Sequence, residues 1–427
     1  MEEINFDSTD LIDKEIQSPK KPKRFKKFRN WYTNLSKNQK YIFYLTLIVS
    51  IIIFLGILSF LIILFRPTST PTAPTIKIKV KNKSSQTKPK KYVDPLDGSY
   101  LTNPQVLQRP PLAVMIENSV SARPQSGLNS ADLVYEAQVE GGITRFMAVF
   151  LKHTPPLIGP IRSARLYYIA WAQGLGAIYT HWGGNIYALE KLQAQNIPNI
   201  DALYTSGSGT PCNTTLNNFI FCRLQSRYAP HNGYGNTANI WNLAKQKGLY
   251  ASLTLGKNEN SYTFSQSTKN LGANGSQINI HFDHGDLPYD VEWIYNKTNN
   301  NYERYNGGSL QYDAVSNQPI TAKNVVVLYM NGHTSGYPGD GTTEPYSLIW
   351  IMNTTGSGKA YIFNNGQEIK GTWTKTSAQS RMTFNTSNGS PVTFQRGRIW
   401  FEIIQPQTGS FSYVPATNNS TSGSTVK

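Results

Sequence analysis

The sequence predicts an α+β protein preceded by one transmembrane helix, and three observations support this prediction. A run of 25 uncharged residues begins at Tyr41 and ends at Phe65, which is long enough to cross the hydrocarbon core of a bilayer as a helix. Strand-like and helix-like segments alternate over residues 92–265, which is typical of an α/β-like N-terminal domain. Short strands separated by Asn- and Gly-rich turns occupy residues 266–410, and they indicate a mostly antiparallel β C-terminal domain.

A basic segment precedes the apolar run and orients the predicted helix. Residues 20–30 read KKPKRFKKFRN, and positively charged flanks tend to stay on the cytoplasmic side of a membrane. We therefore expect residues 1–40 to be a basic cytoplasmic tail and the body to lie outside the cytoplasm. The run is longer than the apolar part of a cleaved signal peptide, and no small-residue cleavage site follows it. The sequence thus predicts an uncleaved signal anchor at residues 41–65 in the cell membrane.

Two further segments have compositions that do not support a packed core. Residues 66–91 are rich in Pro, Thr and Lys, which is typical of a linker. Residues 411–427 are of low complexity, and we expect them to form a disordered tail.

The net charge of +16 is concentrated near the N-terminus. Residues 1–91 carry 18 Lys and Arg and 6 Asp and Glu, a net charge of +12, so the rest of the chain accounts for only +4. A nucleic-acid-binding domain would concentrate basic residues on its folded surface. We therefore expect the membrane to be a partner through residues 41–65, and we expect no nucleic acid.

Hydrophobic patterning defines the predicted elements of the N-terminal domain. The segment 131–139 (ADLVYEAQV) fits either a helix or a strand, because its periodicity does not distinguish the two. Asn236 or Thr237 is a candidate N-cap, since both side chains accept hydrogen bonds from free backbone N–H groups. Buried strands are predicted at 112–116, 144–151 and 177–181, and helices are predicted after Pro160, at 186–195 and at 236–247.

Arginines and carboxylates cluster in a largely apolar stretch between Pro110 and Asn185, where Lys152 is the only lysine. Arg is preferred over Lys where a carboxylate or phosphate is held by two parallel hydrogen bonds. Charges among buried strands are either paired or part of a site. The cluster predicts an arginine-lined pocket for an anionic group, with the candidate residues Arg123, Arg145, Arg162, Arg165, Glu117, Glu136 and Glu140.

The motif GPIRSAR is the sharpest local signal in this cluster. Pro160 is predicted to begin a helix, so that free backbone N–H groups would lie beside Arg162 and Arg165 and form an anion site. The alternative is that both arginines form ion pairs with Glu136 and Glu140 and only hold the fold together.

Two histidines are further candidates. His181 in HWGG follows a predicted strand, where site residues of α/β sheets are often found, and His231 lies in APHN. The stretch HFDHGD, which starts at His281, has metal-ligand residue types, but alternate residues of a strand point to opposite faces. We therefore predict no metal site and no cofactor, and we assign no catalytic residue.

The chain has two cysteines, Cys212 and Cys222. Outside the cytoplasm they would be in an oxidising compartment, where disulfides persist. We predict that the two form a disulfide, although a pair of free thiols is the alternative.

Several long motifs are shared with a known family. The stretch RPPLAVMIENSVSARPQSGLNSADLVYEAQVEGGITRFMAVF, followed by GPIRSAR, HWGG and APHN, resembles the YerB-like family of bacterial surface proteins, a domain of unknown function. AKNVVVLYMN, GSGKAYIFNNGQEIKGTW and RGRIWFEII are similar to its C-terminal companion domain. The resemblance spans residues 100–405 and implies a bacterial, envelope-facing protein of two domains, but no reaction. Many members look like lipoproteins with a Cys just after the signal sequence. In this chain neither Cys follows the apolar run, which looks like an uncleaved membrane span.

These observations favour a membrane-anchored, extracytoplasmic binding or scaffold protein. Its arginine-lined pocket would hold an anionic cell-wall component or a peptide of an envelope protein. The alternative is a hydrolase of peptidoglycan or another glycan that uses Glu117, Glu136 or Glu140 with His181 as acid and base. A third interpretation is a buried network of ion pairs that binds no ligand.

Overall fold

The computed structural model describes residues 33–64, 91–213, 216–250, 262–265, 277–283, 287–338, 348–414 and 424–426. The chain divides into two compact units, Met1–Thr87 and Lys88–Lys427. Most of the predicted cytoplasmic tail (1–32) and nearly all of the predicted linker (65–90) lie outside the described residues.

In the first unit, helix α1 (Lys37–Leu64) contains the predicted apolar run up to residue 64. Its 28 residues correspond to about 42 Å at 1.5 Å per residue. By length and composition it is the one helix of the described chain that could cross a membrane. Large apolar side chains such as Tyr41 and Phe54 are exposed along it.

The second unit contains three α-helices and 27 strands among its described residues. The helices are α2 (Leu166–Gly174), α3 (Ile186–Ala194) and α4 (Thr237–Gln246). The first strands are β1 (Tyr92–Val93), β2 (Tyr100–Leu101), β3 (Leu112–Glu117), β4 (Leu133–Gln138), β5 (Thr144–Phe150), β6 (Ile178–His181), β7 (Asn199–Asp201), β8 (Phe221–Arg223), β9 (Gly233–Gly235) and β10 (Thr263–Phe264).

The remaining strands are β11 (Gln277–His281), β12 (Val291–Asn296), β13 (Asn301–Asn306), β14 (Ser309–Leu310), β15 (Tyr312–Asp313), β16 (Gln318–Pro319), β17 (Thr321–Ala322), β18 (Asn324–Tyr329), β19 (Gly332–Pro338), β20 (Leu348–Met352), β21 (Gly356–Asn364), β22 (Gln367–Lys375), β23 (Thr383–Thr386), β24 (Thr393–Phe394), β25 (Ile399–Ile404), β26 (Ser410–Val414) and β27 (Ser424–Val426).

A ten-stranded mixed sheet forms the centre of this unit, in the order β23-β22-β21-β18-β25-β4-β5-β3-β6-β7. Strands from both predicted domains share it, because β25 pairs in parallel with β18 on one side and with β4 on the other. The predicted split at residue 265 therefore does not coincide with a break between sheets. Most strand pairs of the unit are antiparallel. Its described residues form many strands and few helices.

The two faces of the central sheet are covered by different layers. Alternate side chains of a strand point to opposite faces, and in β3 Ala113 and Met115 belong to one hydrophobic cluster while Val114 and Ile116 belong to another. The first cluster includes side chains of α2 and α3. The second includes α4 and a second sheet that contains β11, β12, β13 and β26. Because both faces are covered, β3, β4, β5 and β25 are buried along their whole length.

Most predicted elements are present, with three differences. The ambiguous segment 131–139 forms a strand, β4, because it pairs with β5 and β25 in the middle of the sheet. The helix predicted after Pro160 begins only at Leu166. Residues 411–414, which were predicted to be disordered, belong to β26, which pairs with β11. Asn236 caps α4 as predicted, since its side chain accepts a hydrogen bond from the Asn239 amide.

Candidate functional site

The candidate site lies where two parallel strands of the central sheet separate. β3 and β6 pair only over their first three residues, from Leu112 to Val114 in β3. Beyond that point the GPIRSAR segment lies between the two chains, because the Arg162 amide donates to Met115 O (3.0 Å) and the Trp182 amide donates to Arg162 O (3.0 Å). A crevice at the carboxyl ends of separating strands is the usual place for a ligand site in α/β sheets.

The insertion corrects the prediction that GPIRSAR forms a helix N-terminus with free N–H groups. The amides of Ile161, Arg162 and Ala164 donate to Gly233 O (2.7 Å), Met115 O and Gly183 O (2.9 Å). The backbone donors are therefore used by the fold. Any anion at this place would have to be bound by the arginine side chains.

Three arginines of the motif region meet beside the end of β3, on the face covered by α2. Arg165 forms a two-point ion pair with Glu140, with Nε and Nη2 at 2.7 and 2.5 Å from Oε2. Burial would raise the pKa of Glu140, but its pairing with Arg165 outweighs this and lowers the pKa below its ordinary value. The Arg165–Glu140 pair is thus largely satisfied within the protein.

Arg145 is the least satisfied member of the group. It is only 6 % exposed, and its Nη1 donates to Ser163 O at 3.0 Å. Its Nε is buried and has no hydrogen-bond acceptor in the described part of the chain. Burial and the neighbouring Arg165 lower the pKa of Arg145 to about 10, and Arg162 contributes in the same direction. Arg145 is therefore a buried cation near two other cations, Arg165 and Arg162, and near one carboxylate, Glu140.

Glu117, at the end of β3, is the second carboxylate of the site. Its Oε1 accepts a hydrogen bond from Ser119 Oγ (2.9 Å) and lies 3.1 Å from His231 Nδ1 and 3.4 Å from Arg162 Nε. Glu117 itself is almost fully buried, whereas about a quarter of the Arg162 and His231 side chains is exposed. These two residues are therefore the part of the site that solvent and a ligand reach.

A fourth arginine, Arg223, was not predicted. Its guanidinium lies 4.0 Å from the Trp182 ring centre and donates to Asn232 Oδ1 at 3.0 Å. Burial and the positive charge of Arg162 lower the pKa of Arg223. Sequence reasoning missed it because Arg223 lies far along the chain in a short strand with no motif around it.

We use the name arginine cluster for Arg145, Arg162, Arg165, Arg223, Glu117, Glu140 and His231. Four guanidinium groups face two carboxylates there, so the cluster holds an excess of two positive charges when His231 is neutral.

Glu136 does not belong to the arginine cluster, although the sequence analysis placed it there. In β4 it points to the opposite face from Ala137, into the layer covered by the second sheet. There it pairs with Arg304 of β13, and both side chains are fully buried. Thr144 Oγ1 also donates to Glu136 at 2.7 Å. Neither an acid–base role nor pairing with Arg162 is open to Glu136.

Arg304 is the centre of a buried polar network that ties the second sheet to the central one. Its guanidinium lies 4.9 Å from the Trp400 ring centre, and its Nε is 4.0 Å from Glu402 Oε1. Burial and the neighbouring Glu136 raise the pKa of Glu402 well above its ordinary value. The alternation in NYERYN offered a signal, because Tyr302, Arg304 and Asn306 share the buried face of β13.

Arg123 also lies outside the arginine cluster. Its Nη2 donates to Asn118 O at 3.0 Å, and burial together with the charge of Arg304 lowers its pKa to about 10. It lines a separate surface cleft of about 770 Å³ together with residues of the second sheet such as His281 and Asp290.

His181 is a buried histidine at the carboxyl end of β6. Its Nδ1 lies 2.8 Å from Gly183 O and its Nε2 lies 3.3 Å from Asn199 Oδ1. Burial lowers its pKa below the ordinary value. Because both ring nitrogens face protein acceptors, His231 rather than His181 is the histidine that a ligand could reach.

Three buried aspartates, Asp94, Asp97 and Asp132, are the one group of described residues with the geometry of metal ligands. Lys152 already supplies a cation there, since its Nζ pairs with Asp97 and lies 3.0 Å from Asp132 Oδ1. In HFDHGD, His281 pairs with Asp290 at 2.9 Å, and residues 284–286 lie outside the described chain.

The structure has a disulfide between Cys212 and Cys222, the pair selected from the sequence. The segment that ends at Cys212 also pairs with β8. The Cys212 amide donates to Arg223 O at 3.0 Å, and the Arg223 amide donates to Thr210 O at 2.7 Å. The disulfide thus fixes the segment that carries Arg223.

Comparison with known proteins identifies the family of this chain. Residues 96–250 match the N-terminal domain of a protein family of unknown function, DUF3048, and residues 278–401 match the C-terminal domain of the same family. The chain belongs to the DUF3048 family, as the resemblance in its motifs implied.

The Bacillus subtilis protein YerB is a relative in both sequence and structure. The YerB sequence of strain 168, whose name describes a lipoprotein, is 29 % identical over 317 residues, which is 74 % of this chain and 87 % of YerB. The crystal structure of YerB superposes with a TM-score of 0.62 at 26 % identity and covers 75 % of this chain and all of the YerB chain.

Proposed function

We propose that this chain is a membrane-anchored protein of the bacterial cell envelope that binds an anionic group at the arginine cluster. The apolar helix α1 and the lipoprotein name of the YerB relative support attachment to a membrane. The basic residues before the helix support a cytoplasmic N-terminus and a body outside the cytoplasm. The disulfide agrees with this orientation, because disulfides persist in oxidising compartments.

The observation that carries the binding proposal is the unmet hydrogen-bonding capacity of Arg145 and Arg162. The Nε of Arg145 is buried and has no hydrogen-bond acceptor among the described residues. Among the same residues, the Nε of Arg162 makes only an ion-pair contact of 3.4 Å with Glu117 Oε1 and no hydrogen bond. A buried donor without a partner costs about 1–3 kcal/mol. A carboxylate or phosphate would accept from these groups and offset the excess positive charge, and the planar guanidinium suits such two-point contacts.

The purely structural interpretation accounts for only part of the cluster. It explains Arg165, which is neutralised by Glu140. It leaves the cost of burying Arg145 beside Arg165 and Arg162 only partly offset by Glu140, because like charges at short range repel and desolvation adds to the cost. A bound anion would remove both penalties.

The test is a thermal-shift series on the Lys88–Lys427 unit, which contains all three hydrophobic clusters and so carries its own core. The ligands are anionic cell-wall fragments, anionic glycans and acidic peptides, and Arg162→Ala is run beside wild type. Lys245→Ala, which removes an exposed cation of α4, is the matched control. We expect an anion to stabilise wild type and Lys245→Ala but not Arg162→Ala; equal stabilisation of all three would refute the proposal.

A second candidate function is hydrolysis of peptidoglycan or another glycan. The Glu117–His231 contact of 3.1 Å favours it, because a carboxylate at Nδ1 orients a histidine to act as a base through Nε2. Glu140 is engaged by Arg165 and does not serve this role. A hydrolase would lose turnover in Glu117→Gln and His231→Gln while still binding its substrate, whereas a binding protein would show no turnover to lose.

A further inference from the structure

We infer that the arginine cluster receives an acidic peptide segment of a partner protein, in which apolar side chains flank the carboxylates. This inference rests on the proposed anion binding and adds the chemical class of the ligand. It starts from the loops around the cluster, which carry large apolar side chains in contact with solvent.

Two such residues lie three positions from Glu117 or His231, and three lie within four positions of Trp182 or Asp201, which are bonded to the segments beside the cluster. The exposed fractions of all five range from 44 % to 92 %, and they are Val120, Ile186, Leu203, Tyr204 and Tyr228. Apolar residues scattered singly on a surface need no explanation, but several around one polar site mark an interaction surface. We call these five residues the apolar rim.

Hydrogen bonds hold one side of the apolar rim against the site. The Gly183 amide donates to Asp201 Oδ1 at 2.8 Å, and this ties the loop of Leu203 and Tyr204 to HWGG. Trp182, in the same motif, is bonded to Arg162. Leu203 and Tyr204 therefore lie on a loop anchored next to the arginines.

The other side of the apolar rim is held in the same manner. The His231 amide donates to Tyr228 O at 2.9 Å, and Ser119, the neighbour of Val120, bonds to Glu117. Arg227 joins the two loops, since its guanidinium donates to Ser121 O at 2.9 Å. Tyr228 and Val120 thus flank the Glu117–His231 contact.

The depth of the charges favours a peptide over a membrane surface or a bare polyanion. Arg145, whose Nε lacks an acceptor in the described chain, is recessed and only 6 % exposed, so a carboxylate must reach it on a side chain such as Glu or Asp. Lipid headgroups are bound by protruding Lys and Arg, and none of the cations in the cluster is a lysine. A bare polyanion would gain nothing from the apolar rim, whereas Tyr and Leu contacts are common anchors in protein interfaces.

The test measures fluorescence anisotropy of three labelled peptides of about ten residues on the Lys88–Lys427 unit. One alternates Glu and Leu, one alternates Glu and Gly with the same charges, and one alternates Gln and Leu. We expect the Glu-Leu peptide to bind at least about tenfold more tightly than either control, a difference of about 1.4 kcal/mol. Arg162→Ala should abolish this binding, and the double variant Leu203→Ser, Tyr204→Ser should reduce it to the Glu-Gly level.

The possible outcomes separate this inference from the proposed function. Equal binding of the Glu-Leu and Glu-Gly peptides, lost in Arg162→Ala, would overturn the peptide inference and leave anion binding standing. Binding of either peptide that does not depend on Arg162, or no binding at all, would overturn both. Arg162-dependent binding to vesicles with anionic lipid, tighter than to the Glu-Leu peptide, would assign the site to a membrane surface. Melting curves of each variant establish that it is folded.

Discussion

Glu117 and Arg145 face each other across the β3–β5 ladder, yet they do not neutralise one another. Glu117 is engaged at Oε1 by Ser119, His231 and Arg162, while among the described residues the buried Nε of Arg145 has no hydrogen-bond acceptor. Within the part of the chain that the structure describes, the guanidinium of Arg145 therefore lacks an acceptor at Nε, and the carboxylate of Glu117 lacks a donor at Oε2. The proposed binding of an anion rests on the unmatched donor of Arg145.

The first prediction separates Arg162 from Arg165. Arg165→Ala is expected to lower the free energy of unfolding by about 1.5–3 kcal/mol, because the largely buried Glu140 loses its charged donors. Arg162→Ala should cost less than about 1 kcal/mol, because Arg162 is partly exposed and Glu117 keeps Ser119 and His231. Urea denaturation of both variants of the Lys88–Lys427 unit measures the difference, and equal losses would show that Arg162 is also structural.

The second prediction concerns the buried pair of Arg304 and Glu136. Arg304→Ala leaves the buried carboxylate of Glu136 without its cation, so we expect a loss of about 3–5 kcal/mol. Glu303→Gln, on the other face of β13, is the matched control and should cost less than about 1 kcal/mol. A loss below about 1 kcal/mol in Arg304→Ala would mean that the network does not join the two sheets.

The third prediction is a pH dependence that originates in Asp94. Burial and the neighbouring Asp132 and Asp97 raise its pKa from 3.8 to about 8. The folded state therefore binds this proton more tightly than the unfolded state, so the stability is present at low pH and is lost as the pH rises from about 4 to about 8. The loss is at most about 1.4 kcal/mol per pH unit for one group.

Asp94→Asn should flatten this slope, because the amide does not ionise. Urea denaturation at about four pH values between 5 and 8 gives the change of the unfolding free energy with pH. Glu190→Gln, which alters an exposed carboxylate of α3, serves as the control. If Asp94→Asn retained the wild-type slope, Asp94 would not be the group that titrates.

The fourth prediction addresses the disulfide. It closes a ten-residue separation between Cys212 and Cys222, so reduction should lower stability by about 2–3 kcal/mol. The same loss is expected in Cys212→Ser, Cys222→Ser, in which dithiothreitol should have no further effect. A melting temperature that dithiothreitol leaves unchanged in the wild type would show that this loop is held by other contacts.

Local patterns in the sequence predicted most of the individual elements of residues 92–265, but not that strands of both predicted domains share one sheet. The apolar runs at 112–116 and 144–151 predicted buried strands, and Asn236 was one of two candidates for the start of a helix. The late start of α2 was not predictable from Pro160, because the extended form of GPIRSAR depends on hydrogen bonds to β3 and to HWGG. Those partners are distant in sequence and known only from the fold.

The sequence predicted the residue types of the candidate site, but not the full set of residues that form it. The excess of arginine predicted an anion site, which stays a prediction, and Arg145, Arg162 and Arg165 do lie close to one another. Glu136 was assigned to the wrong face of β4. Consecutive side chains of a strand point to opposite faces, and the sequence around Glu136 did not show which face is which. Arg223 and Arg304 were missed because each reaches its partners only through strand pairings in the folded unit.

The most direct test of anion binding is the arginine Nε–H spectrum of the ¹⁵N-labelled Lys88–Lys427 unit during titration with inorganic phosphate and with the Glu-Gly peptide. Single Arg→Lys variants assign the signals of Arg145, Arg162 and Arg165. Binding at the cluster predicts that the Arg145 and Arg162 signals shift with a saturable dependence on anion concentration, while the Arg165 signal, already bonded to Glu140, stays in place. Unmoved signals of Arg145 and Arg162 at the highest anion concentration would contradict the account.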